Sequence, residues 1–131
     1  MQFSKSLKRT LLSSVLGLLA VPVLAMANNL VIHNNTDFPS TTVINDGVCS
    51  NFLPGGIGIT QPHSTNTVPS VTVHSACWAD RENCRATIYV TNDCTGPVIA
   101  KVVLSTTSGV KSIEMLGNYS IVANGFEVTL G

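Results

Sequence analysis

Four cysteines, three histidines and one tryptophan are the residues best placed to do chemistry or to make contacts in this chain. Whether the cysteines act as thiols or as staples depends on the compartment, and the first 27 residues set it. Lys5, Lys8 and Arg9 give a positive start, Leu11 to Leu24 form an apolar run, and Ala25-Met26-Ala27 supplies a small-x-small cleavage site. That is the pattern of a cleaved secretory signal peptide over residues 1–27, which predicts a secreted or periplasmic mature chain beginning at Asn28. In an oxidising compartment the cysteines are expected to pair. No close Cys-x-x-Cys spacing points to redox work.

Four cysteines allow three pairings. If the chain from Arg85 to Asn92 is a strand, Cys84 and Cys94 lie about 30 Å apart at about 3.3 Å per residue, while a disulfide needs Cα atoms within about 7 Å. A hairpin across Trp78 to Asn83 would instead bring Cys77 to Cys84. Cys49 is then left for Cys94.

The short Cys77 to Cys84 segment also carries Trp78, Asp80, Arg81 and Glu82. A stapled loop that presents an aromatic side chain beside mixed charges suits a recognition surface, because preorganisation lowers the entropy cost of binding. The competing expectation is that Trp78 covers the disulfide and the charges keep a turn soluble. His33, His63 and His74 show no ligand spacing such as His-x-x-x-His, so no metal site is expected. His33 and His74 are read as strand residues on the face away from the core. Serine and aspartate are plentiful, but no Gly-x-Ser-x-Gly elbow marks a nucleophile, so no catalytic residue is assigned. Gly55-Gly56-Ile57-Gly58 precedes no helix that could hold a phosphate, and no cofactor is expected. Asn34-Asn35-Thr36 and Asn118-Tyr119-Ser120 match a glycosylation pattern that matters only in a eukaryotic secretory route.

Without the leader, Arg81, Arg85, Lys101 and Lys111 face seven carboxylates, a net charge of −3. No basic patch is left to collect phosphates, so nucleic acid is not an expected partner. No later apolar run reaches the roughly 20 residues of a membrane-spanning helix, so no membrane insertion is expected after leader removal. Residues 28–131 suffice for one domain, and at that size two disulfides would be a large share of the stability.

Period-two alternation dominates the mature chain, and no window of helical length shows a 3.6-residue stripe. Leu30 and Ile32 oppose Val31 and His33, and Asn34-Asn35-Thr36-Asp37 then turns the chain. Short strands follow across Thr41 to Asn45, across Ile57 to Thr60, and across Val71 to His74 after Pro69. Ala86, Ile88 and Val90 against Thr87, Tyr89 and Thr91 make the clearest strand. The last third reads as an antiparallel meander, with Asn124-Gly125 as a type I′ loop between Tyr119 to Ala123 and Phe126 to Leu130. Seven to eight short strands predict an all-β, two-layer antiparallel β-sandwich stapled by two disulfides. It is favoured over a barrel because neither face pattern suggests a large internal cavity.

The Asn29 to Thr36 strand, Cys49-Ser50-Asn51 and the Gly58 to Asn66 segment, together with the leader, resemble small exported proteins of Gram-negative bacteria. That resemblance implies export and brings no activity with it. The first third also resembles the opening strands of thaumatin-like sandwiches, but without their dense cysteine framework or acidic cleft, so no functional residue carries over. The expected function is a non-enzymatic binding module acting on an extracytoplasmic protein or glycan, for instance as an inhibitor or host-interaction factor. The alternatives are a small hydrolase with loop-borne residues and a pilus-like subunit with an open edge strand.

Overall fold

The computed structural model describes residues 28–131, so the expected signal peptide over residues 1–27 lies outside the described residues. Eight strands form two four-stranded sheets. They are β1 (Leu30–Asn34), β2 (Thr41–Ile44), β3 (Ser64–Val68), β4 (Cys84–Tyr89), β5 (Ala100–Ser105), β6 (Gly109–Met115), β7 (Ile121–Asn124) and β8 (Glu127–Leu130). One sheet has the order β3-β1-β8-β7 and the other β2-β4-β5-β6. All pairs are antiparallel except β1 with β8, which run parallel with Ile32 beside Val128. The first and last strands therefore sit together in the middle of one sheet. The expected meander is in fact two hairpins, β5-β6 in one sheet and β7-β8 in the other.

Alternation places Ile32, Ile44, Ile88, Val102, Leu104, Val128 and Leu130 toward the space between the sheets, while Arg85 and Lys101 are exposed on the opposite face. In β6 the register slips, so that Val103 pairs with Ser112 but Leu104 with Val110. Lys111 is the extra residue of this bulge, and Val110 and Ile113, three positions apart, both find apolar partners.

Two expected strands are corrected here. The Val71 to His74 segment is not a strand but part of a two-turn helix, α1 (Ser70–Ala76), which His74 joins. Pro69 caps it, its carbonyl accepting from the amides of Thr72 and Val73. Ser70, Val73 and Cys77 are buried at helical spacing, so packing overrides the strand preference of a β-branched run. The strand in this region is β3, antiparallel to β1 with Asn66 opposite Ile32. Ile57 to Thr60 contributes only an isolated bridge from Thr60 to Ser40.

The hairpin loops also differ from expectation. Asn124 pairs with Glu127, so the β7-β8 loop is Gly125-Phe126, with φ +62° at Gly125 alone, as a type II′ turn requires at its first central position. Two successive positive φ values, the type I′ signature, occur instead at Asn45 (50°) and Asp46 (58°), closed by Gly47 N–H to the Ile44 carbonyl at 2.8 Å.

Gly109 has φ +92°, and a Cβ there would overlap the backbone of Gly125, whose carbonyl accepts from the Val110 amide at 2.9 Å. Gly109→Ala should therefore cost about 2 kcal/mol or more, from the left-handed backbone and from the displaced hairpin tip. Urea unfolding of this variant checks the contact.

The core is divided. Val68, Val73, Cys77, Cys84 and Leu104 form one buried cluster, and Ile99, Ala100 and Leu130 form another. Between the sheets lies an apolar cavity of about 140 Å³.

Candidate functional site

The loop between Cys77 and Cys84 is built on the core. Cys77 follows the last turn of α1 and Cys84 opens β4, both almost completely buried at 1% and 0% exposure. Their disulfide brings the Cα atoms to 5.3 Å. The second disulfide joins Cys49 to Cys94 with Cα atoms 5.9 Å apart. These are the same pairs that the strand-length argument selects.

The staple fixes both ends of the loop, so the residues between them must point outward or find partners nearby. Trp78 points outward and is 71% exposed. It does not cover the disulfide. The Arg81 guanidinium lies 4.2 Å from the centre of its ring, a cation–π contact worth about 0.5–1 kcal/mol at an exposed site. Val71, on the solvent side of α1, is the other large exposed apolar residue of this segment.

The two carboxylates serve the loop itself. Asp80 Oδ1 accepts the Asn83 amide at 3.0 Å, closing a turn within the staple. Glu82 accepts from Ser105 Oγ at 3.0 Å and from Thr107 Oγ1 at 3.3 Å, and the Thr106 amide donates to the Arg81 carbonyl at 2.8 Å. From the bulge in β6, Lys111 Nζ donates to the Glu82 carbonyl at 3.0 Å and to Asn83 Oδ1 at 2.8 Å. The β5-β6 turn thus braces the loop from below and leaves Trp78 and Arg81 as its outward pair. Sequence reasoning places the tryptophan and its charged neighbours together but misses Ser105, Thr107 and Lys111. Small polar residues more than twenty positions away carry no pattern that would connect them to the loop.

The histidines disperse. His33 Nδ1 lies 2.8 Å from Thr65 Oγ1 and its Nε2 lies 2.6 Å from Glu127 Oε2, linking β3, β1 and β8 across the sheet. A hydroxyl and a carboxylate on opposite ring nitrogens have the make-up of a hydrolytic relay. This row is not among the residues lining the inter-sheet cavity, and its geometry ties three strands together. His63 Nε2 lies 2.6 Å from Asp37 Oδ1 on the exposed surface. Among the described residues no group of three or more His, Cys, Asp or Glu side chains is placed to hold a metal ion.

A family model described as T2SS substrate NttC matches residues 4–131. The chain belongs to this family of type II secretion system substrates. The crystal structure of the Legionella pneumophila type II secretion system substrate NttC is similar, with a TM-score of 0.63 and 25% sequence identity over 79% of this chain and 96% of that chain. Among curated proteins none matches. Membership of the NttC family makes this an exported, extracytoplasmic protein, consistent with two disulfides. No helix among the described residues is long and apolar enough to cross a membrane.

Proposed function

We propose that this NttC-family protein is a non-enzymatic interaction module that leaves the cell by type II secretion and binds an extracytoplasmic protein or glycan through its Cys77–Cys84 loop. The observation that carries this reading is the exposed Trp78 under Arg81 on a loop whose ends are locked in the core by a disulfide. A large aromatic and an arginine are the side chains that most often dominate binding energy at protein interfaces. Here both are held before the partner arrives, so little freedom remains to be lost on association. Asp80, Glu82 and Lys111 act one step back, by holding the loop in shape. Inhibition of a foreign hydrolase is one form this activity can take.

Trp78→Ala tests the assignment. Binding to the partner captured from the native extracellular milieu should weaken by about 2 kcal/mol or more, roughly 30-fold. The thermal midpoint should stay near that of the parent protein, since the indole contributes little to the core. Equal capture by parent and variant, or an unfolded variant, would show that the contact surface lies elsewhere.

A further inference from the structure

The inter-sheet cavity is independent of the Trp78 loop and is a second candidate site. Protein interiors seldom leave spaces larger than a water molecule, yet this one, partly open to the surface, is about 140 Å³. It lies between the two core clusters, bordered by Val68, Val73 and Leu104 from one and by Leu130 from the other. Every strand of both sheets contributes to its wall, as does α1. The lining is therefore spread over both sheets and the helix rather than confined to one corner of the core.

Its chemistry is one-sided. Most of the wall is aliphatic, and among the described residues no charged side chain lines it. The polar lining side chains are Ser, Thr and Asn, and several are already bonded to one another's surroundings. Thr42 N–H donates to Ser50 Oγ at 2.9 Å, and Asn66 Nδ2 donates to the Ile57 carbonyl at 2.7 Å. An ionised ligand would find no counter-charge inside, so an occupant must be neutral and apolar over the part that enters. Small residues, Ala86 on β4 and Thr72 and Ala76 on α1, stand where larger ones would close the gap.

We propose that this cavity binds a single unbranched hydrocarbon chain, with any polar head left outside. An engineered apolar cavity of about 150 Å³ stays dry and admits benzene. A similar volume whose lining is spread over both sheets and α1 suits a short chain segment better than a compact ring. The loop of Ser50, Leu53, Ile57 and Gly58 borders the cavity, next to the exposed Phe52, so an apolar chain meets apolar surface at this border.

Titration of the oxidised protein with 1-octanol, followed by methyl NMR, tests this directly. Saturable shifts are expected at Ile32, Val102 and Val128, together with a rise in the thermal midpoint; benzene should bind at least tenfold more weakly than the chain. Ala86→Leu and, separately, Val102→Phe fill the space and should reduce octanol affinity at least tenfold while circular dichroism remains that of the parent. The proposal is overturned if the parent protein shows no saturable shifts, if they fall only at surface residues such as Trp78, or if benzene binds as well as octanol. Unchanged affinity in a folded filling variant would overturn it too. Should either variant fail to fold, the methyl map of the parent protein decides the outcome by itself.

Discussion

Replacing Cys49 and Cys94 together by serine is expected to lower the unfolding free energy by about 4 kcal/mol. The crosslink closes a loop with a sequence separation of 45, and chain-entropy arguments assign roughly that value to a loop of this length, against about 2.5 kcal/mol for the shorter Cys77–Cys84 loop. For a domain whose net stability is typically about 5–15 kcal/mol, such a loss brings the protein close to its threshold. Both cysteines are only half-buried, so serine adds little desolvation cost. The native loops keep other ties: Cys94 N–H donates to Thr41 Oγ1 at 3.0 Å, and that hydroxyl donates to the Thr91 carbonyl at 2.8 Å. The variant should therefore retain the native spectrum in water and show its deficit in the urea midpoint. A loss below about 1 kcal/mol would mean that the unfolded chain already holds these segments together.

What could be read from the sequence follows from where one face of a strand is buried and the other is wet. Ala86 and Ile88 against Thr87 and Tyr89 are legible for that reason, and so are Val102 and Leu104. Strand β3 offers only Val68 as an aliphatic inward residue, with Ser64 and Asn66 in the other inward positions, so hydrophobic alternation misses it. Helix α1 is concealed in the opposite way, since Val71-Thr72-Val73 has strand composition and its helical stripe depends on Ser70 and Cys77 being buried. The parallel pairing of β1 with β8 joins the two ends of the described chain, which no local pattern encodes. For the candidate site, the spacing of Cys77 and Cys84 marks the loop and Trp78 its exposed residue. The brace from Ser105, Thr107 and Lys111 becomes visible only when β5, β6 and the bulge are in place.

The cavity shows a further limit of the same kind. Alternation says which side chains face inward but not how closely two inward faces approach. That spacing depends on opposed residue sizes, and Thr42 and Ala86 on one sheet and Thr72 on α1 are small.

Asn34→Ala is the other substitution expected to be severe, at about 3 kcal/mol. Asn34 ends β1, is 0% exposed, and makes four hydrogen bonds. Its Nδ2 donates to the carbonyls of Phe38 at 2.7 Å and Thr60 at 3.1 Å, and its Oδ1 accepts from the Thr36 amide at 2.9 Å and the Thr36 hydroxyl at 2.7 Å. One side chain thus replaces the ladder where β1 leaves the sheet and holds the turn to the Ser40–Thr60 bridge. The same burial keeps this amide from acting as a glycosylation acceptor in the folded state. After truncation the Thr36 hydroxyl, released from Asn34 Oδ1, can turn its one proton to the Phe38 carbonyl, and the Thr60 carbonyl still accepts from Ser40 N–H. The Thr36 amide is left unpaired in a buried place, and a void the size of the amide adds to the penalty. Asn34→Asp separates the donor role from packing, since it preserves shape while turning an acceptor toward two carbonyls. At neutral pH the buried carboxylate should make it at least as destabilising as alanine. Because only the protonated carboxyl can donate there, the folded state binds that proton more tightly than the unfolded state, and the deficit should shrink as pH falls. Urea melts of both variants at neutral and mildly acidic pH check this pattern; an alanine variant within about 1 kcal/mol of the parent would mean that water takes over the role of the amide.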